Sequence, residues 1–99
     1  MSIAVNTAKH VVHDKLESQL KTAETKLDTL KARAEVAKAS AEIKAIADLA
    51  AKRLEIHQKL QELKKSGDDK WEHARKDLES RVAAFEESVK GVESKIKAH

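Results

Sequence analysis

The chain has no cysteine, no proline and no tyrosine, and only two glycines, one tryptophan and one phenylalanine among 99 residues. Without cysteine there is neither a disulfide framework nor a thiolate metal site. Without proline, and with glycine only at 67 and 91, few residues stop a helix or set a tight turn. Aromatics at 2% leave almost nothing for nucleobases to stack on, and they remove much of the bulk of an ordinary small-domain core. Long apolar runs are missing too, so no segment is expected to span a bilayer. The opening "MSIAVNTAKH" has no basic start followed by a sustained apolar run, and no signal peptide is expected there. The default expectation is a soluble cytoplasmic protein.

What is present is Ala, Glu, Lys, Leu and Arg, with 37% of residues charged, and that composition points to long helices or a coiled coil. The length suits one domain, residues 1–99. The net charge of +3 is mild. Counted along the sequence, residues 36–65 carry seven basic and four acidic groups, and residues 66–99 carry seven basic and eight acidic. This imbalance favours the two segments lying side by side.

Apolar spacing supplies the architecture. Leu16, Leu20, Ala23, Leu27, Leu30, Ala34, Ala37 and Ala41 follow one another at alternating intervals of four and three. That is a heptad stripe, narrow enough to need one partner seam. Beyond Ala41 the apolar sector widens and divides. Leu49, Ile56, Leu60 and Leu63 make one face, and Ile43, Ile46, Ala47, Ala50 and Leu54 an adjacent one. A helix this broadly apolar touches more than one neighbour.

The stretch "LKKSGDDKWEH", residues 63–73, is the one deliberate stop. Lys64 and Lys65 suit the negative end of a helix dipole. Gly67 is expected to take the left-handed conformation that ends a helix, and Asp69 to cap the next one with Glu72 three residues on. The second helix carries its own seam: Trp71, Ala74, Leu78, Val82, Phe85, Val89, Val92 and Ile96. Acid-before-base pairs four residues apart, such as Glu72–Lys76, Asp77–Arg81 and Glu93–Lys97, mark solvated faces worth a few tenths of a kcal/mol each.

The fold expected is all-α. A long helix over about 8–65 turns at 66–69 into a second helix over about 70–97. The region "KARAEVAKASAEIKA" holds no Gly, Pro or Asn, so helix propensity favours an unbroken first helix. The seam of Leu16, Leu20, Leu27 and Leu30 then overhangs its hairpin and pairs with a second copy, as do Ile43, Ile46, Ala50 and Leu54. The hairpin core is Leu49, Ile56, Leu60, Leu63, Trp71, Leu78, Val82, Phe85, Val89, Val92 and Ile96. The alternative is a turn near 34–40 and a three-helix bundle.

Chemistry is sparse. "HVVHD" places His10, His13 and Asp14 on one helix face, an incomplete ligand set, and the HExxH spacing of a zinc helix is absent. His57 borders the apolar face, His73 is expected near Glu62 across the hairpin, and His99 is the last residue. No nucleophile–base pair or phosphate loop is present in the sequence. No catalysis, metal or cofactor is expected, and no specific nucleic-acid partner. The function expected is a structural or interaction module that forms a homodimer or binds another helical protein. The alternative is reversible binding of polyanionic or lipid surfaces through Lys38, Lys44, Lys52, Arg53 and Lys59.

Overall fold

A computed structural model describes the backbone of residues 3–97 and the side chains of residues 9–67 and 69–97. Three helices make up the fold: α1 (Ile3–Ala37), α2 (Ser40–Lys65) and α3 (Asp68–Lys97). Each packs against the other two, in a rod measuring 55 × 17 × 15 Å. The 35 residues of α1 account for the long dimension, about 52 Å at 1.5 Å per residue. His99 lies outside the described residues.

The unbroken helix expected over 8–65 is thus two helices, and the three-helix arrangement is the one adopted. The break is a Schellman motif built without glycine. Lys38 takes a left-handed backbone, φ 55°. Its N–H donates to the Glu35 carbonyl at 3.2 Å, and the Ala39 N–H donates to the Ala34 carbonyl at 3.0 Å. Ala39 and Ala34 are both buried, the apolar contact that accompanies this motif.

Magnitudes show why propensity loses. A left-handed non-glycine residue costs about 1–2 kcal/mol. Folding α1 back buries Leu16, Leu20, Leu27 and Leu30 to 3% exposure or less, and each is worth about 1.5–3 kcal/mol. The seam expected to overhang its hairpin therefore meets α2 and α3 of its own chain. Beyond Ala34 the heptad stripe ends, and Ala37 and Ala41 are exposed.

The second turn is shorter than 66–69 and uses different residues. Ser66 ends α2 in an extended conformation, φ −70° and ψ 138°, with its N–H on the Leu63 carbonyl. No described glycine has a positive φ, so Gly67 does not supply the left-handed stop. Its carbonyl instead accepts from the N–H groups of Lys70 and Trp71, at 3.1 and 2.9 Å, which starts α3. Asp69 is inside α3 as its second residue rather than at the cap. An acid there still suits the positive end of the helix dipole.

The core follows the seams. Leu49, Ile56, Leu60, Leu63, Leu78, Val82, Phe85, Val89, Val92 and Ile96 are all buried, as the hairpin core requires. Trp71 and Ala74 are half-buried against them. No described helix is long and apolar enough to cross a membrane.

Candidate interaction surface

Helix α2 carries two stripes, and only one is used within the chain. The inner stripe runs Glu42, Ile46, Leu49, Arg53, Ile56, Leu60 and Leu63, with intervals alternating between four and three. All are buried except Arg53, which is half-buried at a heptad position. Its Nε is 3.9 Å from Glu24 of α1, and finds no hydrogen-bond partner among the described residues. His57 pairs with the same Glu24 carboxylate. The histidine at the apolar margin is thus tied to an acid across the α1–α2 interface.

The outer stripe is Ile43, Ala47, Ala50 and Leu54, at intervals of four, three and four. Ile43 is 37% exposed and Leu54 58%; Ala47 is exposed and Ala50 half-buried. Ile46, grouped with them by sequence, faces the core at 4%. Ser40, Ala51, Gln58 and Gln61 fall in the same sector, about 100° wide at 100° per residue. Between residues 40 and 61 no Asp, Glu, Lys or Arg enters that sector. In a chain with 37% charged residues, this solvated face holds no charge and carries two large apolar side chains, Ile43 and Leu54. Lys44 and Glu55 flank the strip on one side, and Glu55 accepts from Arg81 of α3 at 2.7 Å.

Helix α1 has a weaker strip that sequence reading missed. Ser18, Thr22, Thr25, Thr29, Ala32 and Val36 repeat at four and three on its exposed side. The threonine hydroxyls donate to the carbonyls four residues earlier, those of Ser18, Lys21 and Thr25, at 3.0–3.2 Å. The polar atoms are thereby engaged on their own helix. Val36, at 86% exposure, ends this strip in the last turn of α1. The signal was a second heptad made of Thr and Ser, residues that an apolar count skips.

Ion pairs tie other parts of the surface together. Arg81 bonds Asp77 at 2.9 Å and holds that carboxyl below the usual carboxylate range. Arg75 bonds Glu79 at 2.8 Å and also pairs with Glu72, whose carboxyl it lowers likewise. Lys26 of α1 reaches Glu93 of α3 at 3.1 Å and lowers it as well. Of the intrahelical pairs expected from spacing, Asp77–Arg81 forms; Glu93 turns to α1 and Glu72 to Arg75.

The cations proposed for phosphate binding do not share a face. Lys44, Lys52 and Lys59 line one flank of α2 with Asp48 and Glu55 among them, whereas Arg53 points to Glu24. At the other end of the bundle, Lys9, His10, His13, Leu63, Lys64, Ser66 and Trp71 line a recess of about 580 Å³. Lys9 of α1 and Arg75 of α3 lie 5.7 and 5.8 Å from the Trp71 ring centroid, so the indole meets α1 through Lys9 and its own helix through Arg75. His73 lines a different groove, together with Glu62 and Asp77.

The histidine cluster is two adjacent helical pairs. His10 Nε2 is 3.2 Å from Asp14, and His13 Nδ1 is 3.5 Å from Glu17. The donor atoms of His13, Asp14 and Glu17 lie within 4.8 Å of one another, all from one turn of one helix. His13 itself is buried, and its Nε2 makes no hydrogen bond among the described residues.

Compared with protein-family models, with curated proteins and with solved structures, the chain matches none. Its class is therefore given by its own geometry: an all-α bundle of three helices, with an uncharged outer strip on α2 that carries Ile43 and Leu54.

Proposed function

We propose that the protein is a non-catalytic interaction module that self-associates, and that the outer strip of α2 is the surface it uses. The observation that carries the reading is the uncharged run from Ser40 to Gln61 centred on Ile43, Ala47, Ala50 and Leu54. An apolar strip at helical spacing on a water-facing side is a partner seam, because exposed Ile and Leu gain from burial against another helix. Alanines at the centre let a second helix approach closely. One helix face is a small interface, so the association belongs to the weak, reversible class.

This reading replaces the Leu16–Leu30 seam with the outer strip as the contact between copies. Leu54 and Ile43 keep the role expected of them; Ile46 does not. Binding to polyanionic or lipid surfaces has less support, since the basic side chains of α2 are interleaved with acids and the strip holds only two large apolar residues.

The test is size-exclusion elution across a concentration series for wild type, Leu54→Ser with Ile43→Ser, and the control Glu87→Gln on α3. Concentration dependence is expected for wild type and the control, and its loss in the double variant with the helical circular-dichroism signal intact. A double variant that elutes as wild type does at every concentration removes the strip from the contact.

A further inference from the structure

The strip also defines which partner it fits and how that partner lies. We propose that the partner is a second copy of this chain, with the two α2 helices packed antiparallel about a two-fold axis between Ala47 and Ala50. This rests on the reading that the α2 strip is the self-association surface.

Three features of α2 argue for that geometry. First, the order Ile43, Ala47, Ala50, Leu54 is large, small, small, large at intervals that read the same in both directions. An antiparallel mate therefore sets Ile43 against Leu54 and Ala47 against Ala50, four layers that a two-fold axis closes into a dimer.

Second, the flanking charges complement themselves in that register. Lys44 and Glu55 lie on the same side of the strip, one near each end. An antiparallel mate brings Lys44 of each copy beside Glu55 of the other, making two symmetric ion pairs. Glu55 meets Arg81 through one carboxylate oxygen, Oε1, and a carboxylate has acceptor capacity for a second cation. A parallel mate turns this flank towards Arg53 and His57. His57 is already held by Glu24 and Arg53 is half-buried beside the same carboxylate, whereas Lys44 and Glu55 are both exposed, so the antiparallel register joins the more accessible charges.

Third, antiparallel α2 helices oppose their dipoles, whereas parallel ones place like ends together. Lys64 and Lys65 at the end of one α2 then lie beyond the start of the other, clear of the apolar layers.

A chain without cysteine makes orientation directly measurable. Ser40 and Gln58 border the strip and carry none of its apolar contact. Antiparallel packing makes Ser40 of one copy the neighbour of Gln58 of the other; parallel packing pairs each with itself. Chains carrying Ser40→Cys and chains carrying Gln58→Cys are mixed in equal amounts and oxidised, and the covalent dimers are resolved by mass. Sedimentation of the reduced mixture is run alongside.

The expected result is an excess of about tenfold of the mixed 40–58 dimer over either self-linked dimer. Dominance of the 40–40 and 58–58 products overturns the antiparallel arrangement. A sedimenting dimer that gives no disulfide from either position overturns it as well, because the contact then lies off the strip. A reduced mixture that sediments as monomer throughout instead removes the underlying reading of the strip as a self-association surface.

Discussion

The backbone N–H of Ala39 donates to the carbonyl of Ala34 at 3.0 Å, and this bond is where the chain commits to three helices. It closes the turn around Lys38, the one described non-glycine residue with a positive φ. The position wants glycine and holds lysine, so the turn carries a conformational cost that mutation can remove. Lys38→Gly is expected to raise stability by about 0.5–1 kcal/mol, less than the full left-handed penalty because glycine also loosens the unfolded chain. Lys38→Val is expected to lower it. Urea midpoints at constant m-value measure both, and a destabilised glycine variant contradicts the account of the turn.

Leu20 is buried in the bundle and Leu54 is exposed on the outer strip of α2. Leu20 is fully buried on α1, and Leu20→Ala is expected to cost about 2–5 kcal/mol, with Leu20→Asp unfolding the chain. Leu54, exposed on α2, is expected to change the stability of the isolated chain by no more than about 0.5 kcal/mol when truncated to Ala. Thermal melts at low concentration distinguish the two. Equal losses at both positions contradict the assignment of inner and outer stripes.

Arg53 stands at a heptad position between Leu49 and Ile56, with an Nε that makes no hydrogen bond among the described residues. Its contact with Glu24 is long, at 3.9 Å, and the side chain is partly solvated. Arg53→Leu completes the apolar seam and leaves Glu24 with His57. The expected gain is about 1 kcal/mol, since apolar replacement of a poorly paired half-buried charge is commonly stabilising. A loss in chemical denaturation shows that the Glu24 contact outweighs the seam.

Acid is expected to weaken the bundle in a defined window. Hydrogen bonds from Arg75, Arg81 and Lys26 hold the carboxyls of Glu72, Asp77 and Glu93 below their ordinary values. Folded values lower than unfolded ones mean that this stability is complete above the unfolded value. It is then lost as pH falls through the folded ones. With ordinary carboxylates near 4, stability is expected to hold from neutrality to about pH 5 and to decline below about pH 4. All three pairs are at the surface, so added salt is expected to shrink the effect. Helical signal against pH at two salt concentrations checks this, and stability that rises below pH 4 contradicts it.

The residues that show where sequence reading works are the buried ones. Leu49, Ile56, Leu60, Leu63 and the α3 seam from Leu78 to Ile96 were legible because a heptad interval fixes which side of a helix is apolar. The turn at 38–39 was not legible, because its residue is lysine in place of glycine and its driving force is the distant burial of Leu16–Leu30. Propensity is local, and it loses to several buried leucines. The apolar residues of the candidate strip were legible, since Ile43, Ala47, Ala50 and Leu54 all fell on the second face of α2. Ile46 was misplaced because the inner stripe passes through Arg53, and a charged residue at a seam position hides the register that would have turned Ile46 inward. The α1 strip was hidden because its threonines spend their hydroxyls on their own backbone, which composition cannot show.

Sedimentation equilibrium of the unmodified chain, from micromolar concentrations to about 1 mM, tests self-association most directly. The account predicts a reversible monomer–dimer equilibrium, with the mass rising from the 11.0 kDa of one chain towards twice that value, and a return to 11.0 kDa in the Ile43→Ser, Leu54→Ser variant. A wild-type mass of 11.0 kDa across the whole range contradicts it.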